Sequence, residues 1–280
     1  MVNGAKRVLV FDSGVGGLSV FDAIAASGCA FDLDYAADNA WLPYGLKTDE
    51  QLRARVPALL TSLVRQWTPE AVVVACNTAS TIALEPIRAA LSIPVVGVVP
   101  PVKPAAALTR TGVIGLLATP ATVQRPYTSD LIAQFAGDKR VIRFGSAALV
   151  EAAERKLRGE PFDPAAITEA VEGLFSAPGG VAIDVVALAC THFPLLAAEL
   201  AAAAPRPCVW LDSGEAIARR VAHVLIAEQG PTRAGRAGFT SADGARASVR
   251  AFEARNFTTF EAIGDAPRFE VAPLEKAASA

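Results

Sequence analysis

Val73-Val74-Ala75-Cys76-Asn77-Thr78 and Ala187-Leu188-Ala189-Cys190-Thr191-His192 repeat one local design. Each is a short apolar run that reads as a buried strand. Each is stopped by a cysteine and followed by small polar side chains that can start a helix. Both halves of the chain therefore offer a thiol at the carboxyl end of a strand. The openings of the halves echo each other too, Val10-Phe11-Asp12-Ser13-Gly14 against Leu117-Ala118-Thr119-Pro120.

Outward from these stretches, short Val- and Leu-rich runs alternate with amphipathic ones. Strands are predicted at Arg7–Phe11, Asp32–Ala36, Ala71–Ala75 and Val95–Val98, then at Gly112–Leu117, Arg140–Arg143, Asp184–Leu188 and Val209–Leu211. Helical patterns fill Asp49–Trp67, Thr81–Leu91, Thr122–Phe135, Ala147–Arg158, Pro164–Phe175 and Leu195–Ala203. Strand–helix alternation implies an α/β protein with parallel-rich sheets flanked by helices, here as two related domains. Val98-Val99-Pro100-Pro101 and Pro205-Arg206-Pro207 resist both helix and strand and mark the crossings. The first domain is then residues 1–98 plus 209–280 and the second 99–208. From Gly230 the tail carries one predicted helix, Gly244–Arg255, and a loose end at Ala277-Ala278-Ser279-Ala280.

With 280 residues, 52% hydrophobic and 19% charged, the chain can bury two cores. Lys+Arg 26 against Asp+Glu 28 argues against a nucleic-acid surface or a basic membrane anchor. No apolar run reaches the roughly 18 residues of a membrane span, and Asp12 cuts short any signal-peptide core in Met1–Phe11. Four scattered cysteines make no disulfide framework, and two histidines exclude most His-built metal sites. A cytoplasmic enzyme is expected.

Asp12-Ser13-Gly14-Val15-Gly16-Gly17 follows a strand and opens a helix. Its glycines allow backbone N–H groups to approach a phosphate or carboxylate; equally, it is a tight turn with Asp12 as helix cap. No Gly-Lys-Ser/Thr follows, and Ser19 stands where a dinucleotide loop needs its third glycine. Cys76 heads a helix, which lowers a thiol pKa, although a lone cysteine also serves as a small buried hydrophobe. Cys190 has His192 two residues on, as a base or as a turn residue. Trp41, Tyr44 and Gly45 wall a pocket or form an ordinary loop, and Cys29 and Cys208 read as packing residues. Two thiols facing each other across the strand ends suit proton removal from one face of a carbon and return to the other.

Taken jointly, Asp12-Ser13-Gly14-Val15-Gly16-Gly17, Asp38…Pro43-Tyr44-Gly45, Cys76-Asn77-Thr78-Ala79 and Cys190-Thr191-His192-Phe193-Pro194 resemble the motifs of bacterial glutamate racemases, in the aspartate/glutamate racemase family. The resemblance implies two pseudo-symmetric α/β domains with the site between them. It implies cofactor-independent interconversion of L- and D-glutamate, without metal, supplying D-glutamate for peptidoglycan. Cys76 and Cys190 match the two acid/base cysteines, the first acting on D-glutamate and the second on L-glutamate. Asp12, Ser13, Tyr44, Gly45, Asn77, Thr78, Thr191 and His192 match substrate contacts; Asp12, Glu154 and His192 match residues that assist the thiols. The partner implied is small-molecule glutamate, with no nucleic acid and no membrane, and a homodimer is allowed. Departures are Ala189 and Phe193, in place of Gly and Tyr, and Thr119–Tyr127, where Arg125-Pro126 replaces a serine. Glu151 stands one helical turn from Glu154. Three other readings stay open: an aspartate racemase, a thiol hydrolase using Cys190 and His192, and a non-catalytic anion-binding protein.

Overall fold

The apolar runs of the first half form β1 (Lys6–Asp12), β2 (Phe31–Ala37), β3 (Ala71–Val74) and β4 (Val95–Gly97) in a computed structural model, which describes residues 4–264. Those of the second half form β5 (Val113–Ala118), β6 (Arg140–Gly145), β7 (Val185–Leu188) and β8 (Val209–Leu211). Two further strands follow, β9 (Arg233–Phe239) and β10 (Thr259–Ala262). The helices are α1 (Leu18–Ala25), α2 (Asp49–Trp67), α3 (Asn77–Ala90), α4 (Val102–Leu108), α5 (Pro120–Gln124), α6 (Pro126–Ala136), α7 (Ala148–Leu157), α8 (Ala165–Phe175), α9 (Ala197–Ala203), α10 (Gly214–Leu225) and α11 (Ala242–Glu253).

One sheet runs β10-β9-β2-β1-β3-β4 and the other β6-β5-β7-β8, with every pairing parallel. The order β2-β1-β3-β4 is thus repeated as β6-β5-β7-β8. Even the hydrogen bond just before each cysteine recurs: Ala75 N–H to Phe11 O at 2.7 Å, and Ala189 N–H to Leu117 O at 2.8 Å. Alternating side chains of β1 serve two cores. Val8 and Val10 pack with Leu18 and Ile24 of α1, while Leu9 and Phe11 pack with Val56, Leu60 and Trp67 of α2. In the second sheet Leu117 faces α7 and α8, and Ile114 and Leu116 face α4 and α6. The sheet faces are covered, so the free carboxyl ends of β1, β3, β5 and β7 are where a site can form.

α2 matches its predicted bounds because a capping box fixes its start: Thr48 and Gln51 each satisfy the other's backbone N–H. Other bounds move. Val209–Leu211 pairs with β7, from Val185↔Val209 on, so this strand is the edge of the second sheet. The chain returns to the first domain after it, at Asp212-Ser213, not at residue 209. The helix predicted over Thr122–Phe135 is two, because Pro126 holds Arg125 extended (φ −69°, ψ 139°). α3 starts at Asn77, with Cys76 itself as N-cap. The predicted Leu195–Ala203 helix opens as a 3-10 turn, Phe193–Leu196. β9 and β10 extend the first sheet beyond β2 and escape prediction because Arg233-Ala234-Gly235-Arg236-Ala237-Gly238-Phe239 lacks apolar alternation. Gly238 suits that place: a Cβ there would lie 2.6 Å from Trp67. The end at 277–280, and residues 265–280 as a whole, lie outside the described residues.

Candidate active site

Cys76 and Cys190 line one small pocket at the meeting strand ends, with only 6% and 7% of their surface exposed. Ser13, Tyr44, Gly45, Asn77, Thr78, Thr191 and His192 line it as well. All these residues were singled out in the sequence. Asp12 and Glu154 stand directly behind them.

On the first-domain side, Cys76 Sγ lies 3.9 Å from Ser13 Oγ. The helix start does not lower this thiol's pKa. Burial strips water from a thiolate, and the Asp12 carboxylate adds repulsion; together they outweigh the Ala79 N–H and push Cys76 well above the ordinary thiol range. Asp12 ends β1 fully buried, and its Oδ2 accepts the N–H groups of Gly14 and Gly17, at 3.1 Å each. Its Oδ1 has no hydrogen-bond partner among the described residues. Burial raises the Asp12 pKa against the pull of His192. The turn reading of Asp12 therefore holds for one oxygen and leaves the other free for chemistry.

On the second-domain side, Cys190 Sγ lies 3.9 Å from His192 Nδ1, and His192 Nε2 lies 2.8 Å from Glu154 Oε1. Burial alone would lower the imidazole pKa. Hydrogen bonds and charge from Cys190 and Glu154 reverse that and hold His192 well above its ordinary value. Glu154 is buried on α7, whereas the side chain of Glu151, one turn away, is 73% exposed and faces Arg155. The helix rotation thus selects Glu154.

The glycine-rich loop does bind an anion, and the anion belongs to this chain: Val15 N–H donates to Glu154 Oε1 at 2.9 Å. A Cβ on Gly14 would lie 2.3 Å from that oxygen, and one on Gly16 would lie 2.3 Å from His192 Nδ1. The loop is bare so that the other domain can seat on it. Ser19 adds a tie, its hydroxyl 2.9 Å from Gly16 O and 2.8 Å from Thr191 O.

Tyr44 is fixed through a network that sequence reasoning did not assign. Its hydroxyl donates to Asp38 Oδ2 at 2.6 Å, and Arg55 grips the same buried carboxylate through Nε and Nη2, at 2.6 and 2.7 Å. Thr240, from after β9, donates to Asp38 Oδ1 at 2.8 Å. Trp41 is not in the pocket lining; it lies under Arg55, 4.4 Å from ring centre to guanidinium. Thr119 and Thr122 also line the pocket, from the segment that departs from the family pattern. The echo of Asp12-Ser13 by Thr119-Pro120 was the signal for the first of them.

Cys29 packs in the first core, where Gln229 Nε2 approaches its sulfur at 3.8 Å. Cys208 lies apart from the site, its thiol pushed up to about 11 by burial. Among the described residues no group of His, Cys, Asp and Glu is arranged to hold a metal ion, and no helix is long and apolar enough to cross a membrane.

The Asp/Glu/hydantoin racemase family model matches residues 19–221. That span holds both cysteines, Tyr44, Glu154 and His192, and begins after Asp12 and Ser13. The chain is 55% identical over 238 residues to a glutamate racemase of Sphingopyxis alaskensis, covering 84% of this chain and 89% of the relative. It is 50% identical over 223 residues to one of Vibrio cholerae, covering 80% and 82%. Among solved structures it resembles Escherichia coli glutamate racemase in complex with L-glutamate and the activator UDP-MurNAc-Ala. There the TM-score is 0.86 at 42% identity, covering 92% of this chain and 98% of that one. A glutamate racemase of Thermus thermophilus in complex with β-chloro-D-alanine matches with a TM-score of 0.74 at 29% identity, covering 93% and 97%.

Proposed function

This chain belongs to the Asp/Glu/hydantoin racemase family, and on that premise we propose that it is a glutamate racemase working through two thiols. The observation that carries the mechanism is the pair Cys76 and Cys190, from equivalent strand ends of the two domains, lining one pocket. A thiolate on one side takes the α-proton, and a thiol on the other returns a proton to the opposite face.

The surroundings support one arrangement of the protons. Cys76, buried beside Asp12, favours the thiol. Cys190 can pass its proton to His192, whose charge is then balanced by Glu154 at 2.8 Å. That state is poised to deprotonate L-glutamate with Cys190 and protonate the carbanion from Cys76. The reverse direction starts from D-glutamate, with Asp12, whose Oδ1 has no hydrogen-bond partner among the described residues, as the acceptor of the Cys76 proton. Ser13, Asn77, Thr78 and Thr191 supply hydroxyl and amide groups for the substrate's carboxylates. No cofactor takes part, and D-glutamate made in the cytoplasm serves peptidoglycan synthesis; the family resemblance supports both points.

The hydrolase reading leaves Cys76 idle, against its place in the shared pocket. The names of the relatives favour glutamate over aspartate. The test is α-proton exchange of L-glutamate in D2O, followed by NMR with no cofactor added. Exchange should accompany conversion to an equal mixture of enantiomers and should be unaffected by EDTA. Stable L-glutamate, or a rate lost on chelation and restored by metal, would refute the proposal.

A further inference from the structure

A groove of about 430 Å³ shares Leu42, Pro43, Gly45, Thr119 and Val150 with the pocket; Leu46 of the first domain and Pro120 and Ala148 of the second extend its apolar walls, and Glu151, Glu154 and Arg158 add charge. The pocket itself encloses only about 20 Å³, roughly the room one water needs. Leu42, Pro43, Gly45 and Thr119 thus border both the pocket and the groove, where closing them would enclose a substrate for chemistry.

α5 is the lip of the second-domain wall. Its N-cap Thr119 and its residue Thr122 line the pocket, their hydroxyls 2.9 Å apart, and α5 packs against the Tyr44–Leu46 turn. Arg125 follows α5, held extended before Pro126. Its Nη1 donates to both carboxylate oxygens of Asp49, at 2.9 and 3.2 Å. Asp49 is the first residue of α2, the helix that also carries Arg55, the clamp on Asp38 and hence on Tyr44. This ion pair thus joins the lip to the frame of the opposite wall. The Arg125 side chain is 17% exposed, with its Nε buried and without a hydrogen-bond partner among the described residues, and that of Asp49 is 48% exposed, so water reaches the pair from the Asp49 side.

We propose that the Arg125–Asp49 pair is a latch that holds α5, with Thr119 and Thr122, closed over the bound substrate, which makes Arg125 a positioning residue for the reaction. The proposal rests on the racemase reading. Breaking the latch favours the open arrangement and weakens substrate binding, while the thiols and the His192–Glu154 pair are untouched.

The experiment compares KM and kcat of wild type, Arg125→Ala, Asp49→Ala and the double variant, in both directions, at low salt and at 0.5 M NaCl (about a 4 Å screening length). Each single variant should raise KM for both enantiomers about three- to five-fold, the upper range for a partly exposed pair, with kcat unchanged or raised. The double variant should be no worse than either single one, and added salt should raise KM of wild type more than that of Arg125→Ala. Unchanged KM, a fall in kcat at constant KM, or effects that multiply in the double variant would overturn the latch. A wild type without racemase activity would instead overturn the functional reading, so the two failures are distinguishable.

Discussion

The two domains use the same four-strand order and place a cysteine at the same strand end, yet they dress it differently. Cys76 meets a hydroxyl and stands near a buried carboxylate whose Oδ1 has no hydrogen-bond partner among the described residues. Cys190 meets an imidazole backed by a second carboxylate. The fold duplicates the geometry, and the side chains around each thiol then break the symmetry. A reaction with two mirror-image directions needs the first property. The second gives the two thiols different polar neighbours, which the two directions can use separately.

The largest effect should come from removing either thiol. Cys76→Ala and Cys190→Ala should each lower racemisation by about 10²–10⁴-fold or more, measured by circular dichroism of glutamate. Near-normal activity in either variant would break the equivalence of the halves. A close second is Gly16→Ala, whose Cβ would lie 2.3 Å from His192 Nδ1. Displacing that ring or parting the domains should cost about 10²-fold in kcat/KM; a variant with normal rates would show that the loop does not set the His192 position.

Isotope effects probe the asymmetry itself. The enantiomers have equal free energy in water, so kcat/KM stays equal in both directions in every variant. Asp12→Asn should instead raise the deuterium effect on kcat/KM more for α-deuterated D-glutamate than for the L-form, because it impairs the step at Cys76. His192→Asn should do the reverse. If both variants raise both isotope effects equally, the assignment of Asp12 and His192 to opposite faces is wrong.

The smallest effect is on stability. The folded pKa of His192 lies above its unfolded value, so its stabilising contribution is present below about pH 6.5 and is lost as pH rises through the folded value. In melting curves across pH, wild type should exceed His192→Asn most on the acid side, with the gap closing at alkaline pH. A gap that widens as pH rises would mean that the Glu154–His192 pair is not charged in the folded protein.

Much of this was legible in the chain itself. The alternation of apolar runs predicts all eight strands of the repeated sheets, and the doubled strand–Cys motif marks both acid/base candidates. Thr48 and Gln51 fix the start of α2 by local hydrogen bonds. These are properties of neighbours in sequence, where periodicity and capping act. The rest depended on contacts between distant residues. β9 joins a sheet through partners far away in the chain, and its small residues carry no apolar signal. The glycines of the Asp12 loop read as a ligand cradle, but they make room for Glu154 and His192 of the other domain. A helix start predicts a lowered Cys76 pKa, and burial beside Asp12 reverses the sign. Sequence determined which groups exist and which local structure carries them. Tertiary structure decided which groups meet and how dry they are, because pairing and desolvation arise only once distant segments pack together.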